Sequence, residues 1–194
     1  ISERGLGGGP FIYAAMNAID TALWDIRGKA LGVPVYQLLG GKTNEKLRTY
    51  ASQLQFDWDK EVTRLNDPVD YGKAAEKAVA EGYDAVKVDP IVYDKHGVGH
   101  FDRTKLFTQP ELRLFKARLQ AIRDAVGDDV DIIFECHSLP GVSTAIQLGE
   151  MAEDIGCLFY EEPVNYLNSK LHDKVAKRVN VPIAGGERLY NRWG

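Results

Sequence analysis

Short apolar segments alternate with amphipathic ones along most of the chain, and this alternation restricts the fold more than any other feature. Leu47 to Leu54, Ala85 to Val88, Asp131 to Phe134, Leu158 to Tyr160 and Val181 to Ala184 read as strands. Four helical segments separate them. Asp67-Pro68 opens the first, with Asp as N-cap and Pro at the first helical position, and Gly82 ends it. Thr108-Gln109-Pro110-Glu111 opens the second as a capping box, and Phe115, Leu119, Ile122 and Val126 make its apolar stripe. The third covers about 143–155, with Ala145, Leu148, Ala152 and Ile155 on one face. Asn168 caps the fourth, which carries Leu171, Val175 and Val179. Alternation of this kind calls for a parallel sheet with helical crossovers. Strands without polar alternation fit a sheet covered on both faces. A doubly wound sheet and a (β/α)8 barrel both satisfy the pattern.

The first 45 residues are organised differently. Residues 5–10, Gly-Leu-Gly-Gly-Gly-Pro, read as a loop, because no strand precedes them to build a phosphate cradle. Residues 11–31 read as one helix with a stripe of Ala15, Ile19, Ala22, Ile26 and Ala30. Gly32-Val33-Pro34 stops it, and a short turn from Val35 to Leu39 ends at Gly40-Gly41. A net charge of −4 makes nucleic acid a poor partner. No apolar run approaches the roughly 18 residues of a membrane span, and no basic segment with an apolar core marks a secretory signal. Cys136 and Cys157 cannot build a disulfide framework, so the cytoplasm is the expected compartment.

Three glutamates discriminate between the two folds. Glu135, Glu161 and Glu187 stand at or just after three successive strand ends, each 26 residues from the next. A barrel repeat is about 31 residues, so this is one compact repeat. Equal spacing places the three on one rung of neighbouring strands, roughly 4.8 Å apart. They converge at the C-terminal rim, where barrels keep their active sites. Left alone they repel one another, and hard oxygen ligands suit Mg²⁺. Glu162 points to the other side of its strand from Glu161 and is expected to pair with a base or with solvent. His137, two residues after Glu135, shares its face, whereas Cys136 points away and packs.

The run from Asn17 to Gly41, together with Phe159-Tyr160-Glu161-Glu162-Pro163 and Ala184-Gly185-Gly186-Glu187-Arg188, resembles the mandelate racemase/muconate lactonising group of the enolase superfamily. The Glu135-Cys136-His137 motif is similar to that of galactonate-dehydratase-type enzymes. The resemblance implies the end of an α+β capping domain at residues 1–45. It implies the first five strands of a (β/α)7β barrel at 46–194, with Mg²⁺ on Glu135, Glu161 and Glu187. The implied reaction is dehydration of a small-molecule sugar acid. A base removes the proton next to the carboxylate, the metal stabilises the ene-diolate, and an acid protonates the departing β-hydroxyl.

The resemblance makes His137 that acid. Lys87 stands where the family has the first Lys of a Lys-x-Lys pair and would act on the substrate carboxylate or the charge near the metal. The second position of the pair is Asp89, a weak base, which counts against the alternative of a racemase or epimerase. Asp89 is expected to contact substrate hydroxyls or an extra ligand, and Arg188 to clamp the substrate. The long segment 90–108, with Tyr93, His96, His100, Phe101 and Arg103, is expected to lie over the mouth and set specificity. The family's base, a His after the seventh strand with an Asp partner after the sixth, lies beyond Gly194. The 194-residue chain alone is therefore expected to be inactive, a fragment of a longer, homo-oligomeric enzyme. A non-catalytic barrel piece acting as a binding module is the remaining alternative.

Overall fold

A computed structural model describes residues 9–99 and 102–189. They fall into two compact units, residues 9–48 with 187–189, and residues 49–99 with 102–186.

In the first unit, α1 (Gly9–Leu31) leads into α2 (Val35–Leu38). Gly9 and Pro10 are helical, not loop as expected, and residues 5–8 of that Gly-rich stretch lie outside the described residues. Gly32 ends α1 with φ +68°, a left-handed position that costs glycine little. The Val33 N–H then donates to Gly28 O at 3.0 Å, and extended Pro34 opens α2. Ile19 and Ile26 of the α1 stripe are 63% and 60% exposed.

In the second unit, β1 (Ala85–Val88), β2 (Asp131–Glu135), β3 (Phe159–Glu161) and β4 (Ile183–Ala184) form one parallel sheet in the order β1-β2-β3-β4. α3 (Pro68–Ala80) precedes β1, and α4 (Gln109–Val126), α5 (Val142–Ile155) and α6 (Ser169–Ala176) fill the three crossovers. Strand order follows chain order without the reversal of a doubly wound sheet, as in the wall of a barrel. The first expected strand, 47–54, is not one. It shrinks to a parallel bridge of Ala51 to Val86, with Ala51 N–H donating to Ala85 O at 2.9 Å. The cause is local. Gln53 turns left-handed at φ +68°, and Leu54–Phe56 winds into a 3₁₀ turn.

The helix starts follow the caps. Asp67 Oδ1 accepts from Val69 N–H at 3.0 Å, Thr108 N–H donates to Glu111 Oε2 at 2.7 Å, and Asn168 Oδ1 accepts from Lys170 N–H at 3.1 Å. Ile132, Ile133 and Phe134 are all buried, so β2 is covered on both faces. Phe115, Leu119 and Ile122 of α4 are fully buried and Val126 partly so. Each such side chain contributes roughly 1.5–3 kcal/mol by leaving water. α3 approaches α4 closely at Gly72, where a Cβ would come within 2.8 Å of Ala121 O.

Cys136 and Cys157 are both buried thiols. Burial pushes Cys157 up to about 12 and Cys136 well above the ordinary thiol range. Their neutral form is favoured by folding. The stability this contributes is present below the pKa of an unfolded thiol and declines as pH rises through it. Mass spectrometry after thiol labelling at pH 8 is expected to find both peptides unmodified in the folded protein and both modified in denaturant. Labelling of either in the folded protein contradicts the packing described here.

Candidate functional site

The ionisable side chains gather where β1, β2 and β3 end. Glu135 and Glu161 are direct partners in the β2–β3 register, so two carboxylates share one rung, as the 26-residue spacing predicts. The spacing does not continue. Glu161 pairs with Ala184, a step of 23 residues, so Glu187 lies three residues further along the chain. The β3–β4 connection is simply shorter in register than in motif spacing.

Lys87 on β1, paired with Ile133 of β2, reaches the two carboxylates from two register positions below. Its Nζ is 3.1 Å from both oxygens of Glu161 and 3.2 Å from Glu135 Oε2. It also sits 5.1 Å from the centre of the Tyr50 ring. Burial disfavours the ammonium, but the hydrogen bond to Glu161 and the charges of Glu135 and Glu161 more than offset this and hold its pKa above the usual lysine value. Burial, then the neighbouring Glu135 charge, raises the Glu161 pKa, with Lys87 opposing. Two carboxylates face one ammonium, so one negative charge is left over. That surplus, on hard oxygen donors, fits a divalent cation. Among the described residues, no group of three His, Cys, Asp and Glu side chains stands ready to hold a metal ion.

His137 reaches the site by a route its spacing did not foresee. β2 ends at Glu135, and His137 and Ser138 take left-handed conformations with φ +52° and +61°. The alternation of a strand therefore does not aim the ring. Instead the His137 N–H donates to Glu135 Oε1 at 2.8 Å, and the ring Nδ1 lies 2.9 Å from Asp89 Oδ2. The Asp89 side chain has no exposed surface. Its Oδ1 accepts from Ile91 N–H at 3.0 Å, and Arg103 stands 3.7 Å from Oδ2. The sequence expectation for Asp89 is a contact with substrate hydroxyls or an extra ligand; the contacts seen are within the protein. Asp89 is a buried carboxylate that orients the imidazole, with Nδ1 toward it and Nε2 on the opposite side of the ring.

Glu162 departs from expectation too. It is buried, and a hydroxyl and a backbone N–H meet its carboxylate. Ser138 Oγ donates to its Oε2 at 2.6 Å, and the Gly186 N–H donates to Oε1 at 2.7 Å. Glu187 and Arg188 belong to the first unit, where Arg188 Nε lies 3.2 Å from Glu187 Oε1.

The segment after β1 is held from beneath. Arg118 of α4 is fully buried. It donates to the carbonyls of Asn66, Pro90, Tyr93 and Asp94 and to Asn66 Oδ1, at 2.6 to 3.2 Å. Tyr71 and Phe115 flank its guanidinium at 5.3 and 5.7 Å. Sequence reasoning missed this residue, although it stands three residues after Phe115 and four before Ile122, on the buried stripe. In the same segment His96 is exposed, Tyr93 and Arg103 are buried, and His100 and Phe101 lie outside the described residues.

Comparison with known proteins shows the family and the fold. Residues 70–194 match the family model described as enolase C-terminal domain-like. Residues 3–40 match the mandelate racemase/muconate lactonizing enzyme N-terminal domain. A D-gluconate dehydratase from Thermoproteus tenax is 35% identical over 90% of this chain and 32% of its own length. A D-galactonate dehydratase from Ralstonia pickettii is 33% identical over 96% of this chain and 44% of its own. A crystal structure of an enolase-superfamily member from Salmonella Typhimurium superposes with a TM-score of 0.93 and 52% identity, over 98% of this chain and 49% of that one. The chain thus spans between a third and a half of the length of these relatives. With both family models matched in order, and a parallel sheet that carries Lys87, Glu135 and Glu161 at its strand ends, the chain belongs to the mandelate racemase/muconate lactonizing group of the enolase superfamily and is related to the gluconate and galactonate dehydratases.

Proposed function

We propose that this chain carries the acid half of an Mg²⁺-dependent sugar-acid dehydratase. The observation that supports it most is the Asp89–His137 couple standing beside the Glu135–Glu161 pair. Glu135 and Glu161 would hold the ion, and Glu187 joins the proposed set from the sequence resemblance alone. A bound Mg²⁺ supplies positive charge for the negative charge that develops on a substrate carboxylate as the adjacent C–H is deprotonated. The remaining work falls to side chains. Lys87 pairs with both glutamates and adds a positive charge at the rim. Asp89 holds Nδ1 of His137, so the proton passed on is the one at Nε2. That proton goes to the β-hydroxyl, the C–O bond breaks, and water leaves. The enol product then becomes a 2-keto-3-deoxy acid. Asp89 is itself a poor candidate for a racemase base, because it is buried against His137.

The protein from its complete reading frame should convert at least one acid sugar to a 2-keto-3-deoxy product when Mg²⁺ is present and not when it is chelated. Inactivity on a broad panel of acid sugars would count against the dehydratase reading. Calorimetric titration of Glu161→Gln with Mg²⁺ is expected to show affinity reduced roughly 100-fold, since a charged carboxylate ligand becomes a neutral amide. Wild-type affinity in that variant would remove Glu161 from the ligand set.

A further inference from the structure

The dehydratase reading leaves Glu162 without a role. The residue is only 1% exposed, a costly place for a charge unless hydrogen bonds replace the lost water. Two donors do so, Ser138 Oγ at 2.6 Å and Gly186 N–H at 2.7 Å. The main chain adds a third link, with Ser138 N–H donating to Glu162 O at 2.8 Å. Ser138 immediately follows His137, whose own N–H is held by Glu135 Oε1 at 2.8 Å. The peptide carrying the imidazole is therefore tied on both sides, by Glu135 before it and Glu162 after it.

That tie bears on backbone strain. His137, Ser138 and Glu162 all have positive φ, at +52°, +61° and +46°. Residues with a Cβ hold this conformation at a cost, and it persists where the surroundings over-determine it. Nothing else in the turn is glycine until Gly141. An acceptor-only group suits the position, because both side-chain partners donate.

We propose that Glu162 is a positioning residue. It ties the turn after β2 to the chain leaving β4 at Gly186, and through Ser138 it sets where the His137 imidazole stands against Asp89. Its catalytic consequence rests on the dehydratase reading, but the positioning itself does not. Glutamine preserves the brace, offering an oxygen to the Gly186 N–H and an NH₂ to the Ser138 hydroxyl, which can turn to accept. Alanine removes both links.

The test uses the protein from its complete reading frame, as Glu162→Ala, Glu162→Gln and Ser138→Ala. The first readout is the NMR signal of the His137 ring, assigned by its loss in His137→Asn. Glu162→Ala and Ser138→Ala are expected to shift or broaden it, and Glu162→Gln to leave it near wild type. The second readout is turnover. In Glu162→Ala kcat is expected to fall roughly 10- to 100-fold, the scale of a small misplacement of a catalytic group, with KM little changed. Glu162→Gln is expected to recover most of it. If Glu162→Ala does not fold, Ser138→Ala breaks one link alone and answers the same question. An unmoved His137 signal in folded Glu162→Ala or Ser138→Ala overturns the proposal. So does a Gln variant that is as impaired as the Ala variant. If no acid sugar is turned over by the wild type but the ring signal still responds, the dehydratase reading falls and the positioning role stands.

Discussion

Replacing Arg118 by Met is expected to lower the unfolding free energy by about 4 kcal/mol or more, one of the largest single-residue effects in the molecule. Met fills much of the same volume, so lost packing is a minor part. The main cost is that four carbonyls lose their donor, those of Pro90 and Tyr93 in a buried setting and those of Asn66 and Asp94 in a partly buried one. Each buried acceptor left without a partner costs roughly 1–3 kcal/mol. Burial lowers the Arg118 pKa, and the neighbouring Tyr71, Asp89 and Asp94 oppose this. Arg118→Lys should fail as well. An ammonium keeps the charge but cannot span carbonyls on several sides of a planar fork. Thermal unfolding of the protein from its complete reading frame measures the loss, expected as a fall in Tm of about 10 °C. Hydrogen exchange should also rise in residues 89–99 first, because Arg118 is what the start of that segment rests on. A cost below about 1 kcal/mol would mean that these carbonyls find other donors.

The second large effect concerns chemistry. His137→Asn is expected to reduce kcat on the acid-sugar substrate by roughly 10²- to 10⁴-fold, the range for loss of a general acid. Mg²⁺ affinity should stay near wild type, since the imidazole is not among the proposed ligands. Asp89→Asn is expected to cost less, about 10- to 100-fold, because the ring remains and only its orientation and charge partner change. The two losses should not add. With Asn at 137, a further change at Asp89 has no ring to act on, and the double variant should match His137→Asn. Additive losses would separate the two residues into independent roles. Full turnover by His137→Asn would remove the acid assignment altogether.

Much of the second unit was legible in the chain. Asp67, Thr108 with Glu111, and Asn168 announce their helices, because a cap is a local hydrogen bond between residues three positions apart or fewer. The α4 stripe was legible for the same reason of fixed helical period. The first strand misled. Its residues have strand propensity, but a bridge on one side only and a left-handed Gln53 leave Ala51 alone in the ladder. The Glu135–Glu161 rung was readable from equal spacing, and the same spacing failed at β4, since motif distance counts residues while register counts paired backbone groups.

The sequence by itself determined the alternating parallel architecture, the capped helix starts of the second unit, the family, and the short list of ionisable residues at the strand ends; it ran the fourth helix on to Val179, whereas that helix ends at Ala176. Each of these depends on neighbours a few positions away or on a recurring motif. Only the tertiary structure decided what those residues do to one another. It brought Asp89 to His137 as a buried partner, 48 residues away. It put Lys87 between two glutamates and Glu162 beneath a serine 24 residues earlier in the chain. The physical reason is that a buried charge must find its partners within about 3 to 4 Å, and which groups come that close depends on strand register and backbone turns that no local pattern encodes.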